Sequence, residues 1–203
     1  MRPRIGFTFF TLGIAAIVVN AAVAIGAAGQ QPRASSPAQA PRMPQYDKDR
    51  ALLLPSDYRQ WILAGTSLGL SYAESAQAPG DPMFHETLIE PTAYRHFAET
   101  GQFREGTMLA LILHGTGQNV LPGRHGQFAS EIHGVEMAVK DASRTPEGWA
   151  YYGFGGMNGQ TRASAQPQPK ERCYACHVEH AKRDNVFLQF YSLLSAAAPA
   201  ATK

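Results

Sequence analysis

Thr107-Met108-Leu109-Ala110-Leu111-Ile112-Leu113-His114 is the stretch on which the fold turns. Six apolar side chains in succession read as a β-strand. Two more strands are predicted downstream, at Phe128 to Val139 and Gly148 to Phe154, and two upstream, at Trp61 to Leu70 and His85 to Glu90. The Trp61 segment is rich in β-branched and bulky apolar residues and runs into a glycine, Gly69. Between these strands, Pro91 to Thr100 reads as a helix with proline at N1 and Gly101 as its stop. Leu54-Pro55-Ser56-Asp57-Tyr58-Arg59 suits a short helical turn. A loop containing Pro79-Gly80-Asp81-Pro82 separates the first two strands. Near the end, His177 to Asp184 lacks proline and glycine and is expected to be helical. Val186, Phe187, Phe190, Tyr191 and Leu194 then have the i, i+3, i+4 spacing of a buried helix face. About five strands and three short helices predict an α+β domain, a mainly antiparallel sheet with a C-terminal helix, rather than a helical bundle.

The two ends are simpler. Met1-Arg2-Pro3-Arg4, the apolar run from Ile5 to Val19 and the small residues through Ala28 have the order of a secretory signal, expected over 1–29. Ile5 to Ala28 is also about long enough for an uncleaved anchor, and in either case the domain is expected outside the cytoplasm, in the periplasm. Residues 30–46, with prolines among Ala, Ser, Gln and Arg, read as a flexible linker, and 196–203 as a disordered tail. The folded domain is expected over 47–195, with its packed part starting near Leu52, and Ala163 to Pro169 reads as a connecting loop. Without Arg2 and Arg4 the formal charge falls from +2 to zero, so no electrostatic case for nucleic acid remains.

Only two cysteines occur, Cys173 and Cys176, and they open Cys173-Tyr174-Ala175-Cys176-His177. Two thiols three residues apart suit the two vinyl groups on one porphyrin edge, and the histidine that follows falls under the iron. This predicts one covalently bound haem c, with His177 as axial iron ligand. Zinc on Cys173, Cys176, His177 and His180 is a second reading, although structural zinc usually draws two pairs from separated segments. A redox-active dithiol is a third, although it would be expected early in a β-α unit rather than at the far end of the domain. No methionine follows His177, so a sixth ligand has to come from upstream: Met83, Met108, Met137, Met157, or one of His85, His96, His114, His125 and His133. Each of these is more often a packing or surface residue, which favours an open distal site.

The chain resembles the cytochrome P-460 family, including its cytochrome c′-beta-like members. The marks are Leu53-Leu54-Pro55-Ser56-Asp57-Tyr58-Arg59-Gln60-Trp61, Gly65-Thr66, Glu90-Pro91-Thr92-Ala93-Tyr94 and Gly101-Gln102-Phe103-Arg104-Glu105-Gly106-Thr107. They continue with Gly134-Val135-Glu136-Met137-Ala138-Val139-Lys140-Asp141 and Gly148-Trp149-Ala150-Tyr151-Tyr152. Cys173 to His177 with Asp184-Asn185-Val186-Phe187-Leu188-Gln189-Phe190-Tyr191 is the most specific.

The resemblance implies an antiparallel β fold packed with helices, five-coordinate haem, an apolar distal pocket and a homodimer. Hydroxylamine-oxidising members carry a porphyrin-linked lysine in the strand that here holds Leu111, so chemistry depending on that link is not expected. Members without it bind small gases such as nitric oxide. Glu136 matches an acidic position that moves protons on the distal side in the hydroxylamine oxidisers; a solvated strand glutamate is the plainer alternative. His85 and Arg104 are weaker candidates for contacts to the haem propionates or to groups around the haem. The partners expected are a small gaseous or nitrogen-oxide ligand, a redox partner protein and a second copy of the chain. Three functions stay open: a binder of small ligands, a haem enzyme using Glu136, and a periplasmic electron carrier.

Overall fold

In the computed structural model of the protein, residues 40–70, 82–156 and 160–199 are described. The expected leader at 1–29, residues 79–81 of the predicted loop, Met157 and the last four residues lie outside them. The described elements run β1 (Leu52–Leu53), β2 (Ile62–Leu68), β3 (Phe84–Ile89), α1 (Pro91–Thr100), β4 (Met108–Val120), β5 (Gly123–Lys140), β6 (Trp149–Gly153), β7 (Ser164–Ala165), α2 (Tyr174–His180) and α3 (Ser192–Ala197). Strands β2 to β6 form one antiparallel sheet in chain order, and β1 pairs with β7 in a small second sheet. The α+β expectation, with five strands in the main sheet and a C-terminal helix, is met.

The unbroken apolar run in β4 follows from its position at the centre of this sheet, with a packed core on one face and a second core and an apolar cavity on the other. On one face Met108, Ala110 and Ile112 join Val135, Met137, Val139 and Tyr152 in a core closed by Leu52, Tyr58 and Trp61. On the other, Leu109 packs with Ile89, Phe97, Phe103, Trp149, Tyr151 and Leu194 beneath α1 and α3. This second core fills only one end of its face. The rest of that face fronts a cavity.

Helix α1 is fixed at both ends. The Glu90 carboxylate accepts from Ala93 N at 2.8 Å and from Thr92 Oγ1 at 2.6 Å, and Gly101 closes the helix in the left-handed region at φ 71°. Arg104 Nη2 lies 3.4 Å from Glu90 Oε2 and also donates to Thr92. Arg104 is therefore the buried partner of a helix cap and is absent from the cavity wall, which corrects its expected place beside the haem.

Five further differences have local causes. Arg42 to Tyr46, expected in the linker, lie against the domain: Arg42 N donates to Thr92 Oγ1 at 3.1 Å and Tyr46 Oη to Asp141 at 3.0 Å. Ser164–Ala165, expected in a loop, pairs with β1. Strands β4 and β5 continue into a ribbon whose polar, exposed residues carry no hydrophobic signal. The helix expected through Asp184 ends at His180, where Ala181 turns extended at φ -73° and ψ 137°, and Asp184 and Asn185 then enter the left-handed region at φ 46° and 58°. The continuous helix face expected after it is a 3-10 turn at Leu188–Phe190 followed by α3, although Val186, Phe187 and Leu194 are buried as the spacing predicts. This last segment crosses β2 closely: a Cβ on Gly65 would lie 2.7 Å from Tyr191 Cα and 2.8 Å from the Phe190 carbonyl oxygen. Only glycine leaves that space.

Candidate haem site

Residues directly opposite each other in neighbouring strands point to the same face, and the face alternates along each strand. The register therefore lays out in rows the sheet face that fronts the cavity. Ile89, Leu109, Ala138 and Tyr151 form the first; Thr87, Leu111, Glu136 and Gly153 the second; His85, Leu113 and Gly134 the third. Above this floor lies a cavity of about 580 Å³, walled also by Cys173, Cys176, His177, Phe187 and Tyr191. That volume falls in the range of roughly 300–1,000 Å³ usual for cofactor pockets.

Cys173 and Cys176 are free, half-buried thiols at the start of α2, where Cys173 is the N-cap residue. His177 follows one residue on, and its ring sits between two aromatic rings: Tyr151 at 4.3 Å and Phe187 at 4.3 Å. Its Nδ1 lies 2.7 Å from the Asn185 carbonyl oxygen. A carbonyl can only accept, so Nδ1 carries the proton and Nε2 keeps its lone pair for a metal. Burial lowers the His177 pKa against an opposing pull from that hydrogen bond, which favours the neutral, ligating ring.

The carbonyl is itself held. Tyr151 Oη also donates to it at 3.4 Å. The preceding residue, Asp184, accepts from Lys140 Nζ at 2.6 Å and from Trp149 Nε1 at 3.0 Å. Two adjacent left-handed residues are thus tied to β5 and β6, and the tie aims the Asn185 oxygen at His177. The sequence carried a signal for this turn, since Asp and Asn are among the few non-glycine residues that enter the left-handed region readily.

Glu136 faces the cavity and Val135 the opposite core, as alternation requires. By surface area Glu136 is exposed, but the space it meets is the cavity, with protein around it. Desolvation there raises the carboxyl pKa above the usual range, and the nearby Arg172 guanidinium partly offsets the rise. Arg172 and Gln168 also line this side, neither of them anticipated from sequence. Leu111 stands in the same row as Glu136, so the position of the missing lysine opens onto the cavity.

Of the upstream residues weighed as sixth ligands, Met83 and His85 line the cavity. Met137 touches its wall but buries its side chain in the opposite core with Met108. His114 is engaged by the Ser130 carbonyl and Glu86, and His133 by Glu131. His96 and His125 do not reach the cavity. The four zinc candidates do not converge: among the described residues, no group of three or more His, Cys, Asp or Glu is placed to hold a metal ion.

The residues present fit a haem. Two thiols and an imidazole with its Nε2 free border one edge of a large, mainly apolar cavity, and Glu136 is the one carboxylate among its described lining residues. No curated protein matches the chain. The Cytochrome P460 family model matches residues 55–188, more than half of the chain, from the first helical turn through the cysteine motif to the aromatic residues beyond it. With the main sheet, most of the cavity wall and the Cys-x-x-Cys-His helix inside that span, the chain belongs to the cytochrome P460 family of haem-binding cytochromes.

Proposed function

We propose that the protein is an exported c-type cytochrome that carries one haem on Cys173 and Cys176, ligated by His177. Its opposite axial face takes a small ligand such as nitric oxide. The observation that carries this reading is the 2.7 Å contact from His177 Nδ1 to the Asn185 carbonyl, which leaves Nε2 free at the wall of the cavity that both thiols also reach. The haem, when bound, supplies an iron centre able to take axial ligands and change oxidation state. The chain's residues would do the rest: the thiols fix one edge, Tyr151 and Phe187 clamp the imidazole, and the apolar floor excludes bulk water. The leader supports periplasmic delivery, where thioether attachment is completed. The test is the absorption spectrum of the reduced protein, matured with haem-attachment machinery, before and after NO and CO. A high-spin ferrous form that binds both gases is expected; a low-spin, gas-resistant form would mean an electron carrier with a sixth protein ligand.

A second reading, a haem enzyme acting on nitrogen oxides or peroxide, draws on Glu136. A cavity carboxylate with a raised pKa can hold a proton and release it to a substrate. Loss of turnover in Glu136→Gln with unchanged NO affinity would favour it; unchanged turnover would remove it. Leu111 in place of lysine argues against hydroxylamine oxidation through a porphyrin link.

A further inference from the structure

Among the described residues that line the cavity, His85 is the buried group with the largest polar side chain and no assigned partner. It is 9% exposed, lies in the third row of the floor opposite Leu113, and makes no hydrogen bond among the described residues. Its neighbours along that end of the wall are Leu70, Met83 and Leu113. Ser67 lies opposite it in β2, and the His85 ring faces the cavity space, so the N–H is satisfied only by something that enters that space. Burial also keeps the ring neutral, so it retains one N–H donor and one acceptor.

Its position gives that donor a purpose. The His177 ring touches Tyr151 in the first row, and His85 lies four residues along β3 from Ile89 of that same row. At ~3.3 Å per residue the two rows are about 13 Å apart, with the Leu111 row between them. The two imidazoles therefore stand toward opposite ends of one cavity, separated by a span that suits a flat macrocycle and a ligand of one to three atoms. We infer that His85 donates a hydrogen bond to the ligand held opposite His177, and so selects ligands whose outer atom accepts one. These are anions and charge-bearing nitrogen oxides, in preference to weakly accepting diatomics.

This inference rests on the open-face reading above. It is tested by equilibrium binding of fluoride to the ferric protein and carbon monoxide to the ferrous protein, in wild type, His85→Leu and His85→Gln. Fluoride accepts hydrogen bonds strongly and carbon monoxide weakly. His85→Leu is expected to weaken fluoride about tenfold, the effect of one hydrogen bond, and to change carbon monoxide affinity by less than about twofold. His85→Gln, which keeps a donor, is expected to recover most of the fluoride affinity. Equal effects on both ligands, or none on either, would overturn the inference while leaving the open face intact. A low-spin ferric wild type that turns high-spin in His85→Leu would overturn both, by making His85 an iron ligand.

Discussion

Between Lys140 on β5 and the His177 ring runs an unbroken series of contacts: ammonium to Asp184 carboxylate, left-handed turn, Asn185 carbonyl, imidazole N–H. The orientation of the His177 ring is therefore decided by side chains well removed from it, as is common for histidines that bind metals. Replacing Asp184 with Ala removes the acceptor for both Lys140 and Trp149. The expected cost is about 2 kcal/mol in chemical denaturation, because the Lys140–Asp184 pair is partly solvated, together with a shift in the iron–histidine stretching frequency. An unchanged stretch would show that the turn holds without its anchor. Glu136 gives a pH signature. Its folded pKa lies above its unfolded value, so its contribution to stability is intact below the ordinary glutamate range and is lost as pH rises through the folded pKa. Glu136→Gln does not titrate. Its stability relative to wild type is expected to grow from acid toward neutral pH and then level off, which paired urea titrations would reveal.

At the level of elements, the strands and α1 were legible because hydrophobic runs and end signals agreed. Pro91 and Gly101 bracket α1 as the sequence predicts. What escaped were the pieces without such signals. The outer halves of β4 and β5 are polar and solvent-facing, and the two-residue β1 and β7 exist only through their pairing. The place of Arg104, a weak haem-contact candidate with a surface role favoured, was not legible because its partner, Glu90, lies 14 residues earlier and meets it only in the folded chain. Since Glu90 both caps α1 and faces Arg104 while buried, Glu90→Ala is expected to cost about 3 kcal/mol, seen as a lower denaturation midpoint. A loss under 1 kcal/mol would mean that Arg104 finds another partner.

For the whole domain, the sheet's two faces have unequal completeness. One is packed by protein throughout, and the other is packed at one end and open over about 580 Å³. The cysteine motif told from sequence what would fill that space, but its walls come from four strands and two segments distant in the chain, which no local pattern reveals. A domain built around so large a void should depend on its cofactor. Haem-free protein is expected to melt about 10 °C lower or more, and to bind a hydrophobic dye that the loaded form rejects. Equal melting temperatures would show that the cavity closes without haem. The central claim, that haem is joined at Cys173 and Cys176, is tested most directly by a pyridine haemochrome spectrum taken after acid–acetone extraction of the matured protein. The expected result is a c-type spectrum that stays with the polypeptide and disappears in the Cys173→Ala/Cys176→Ala double variant. Haem that washes out of wild type, or none bound at all, would contradict it.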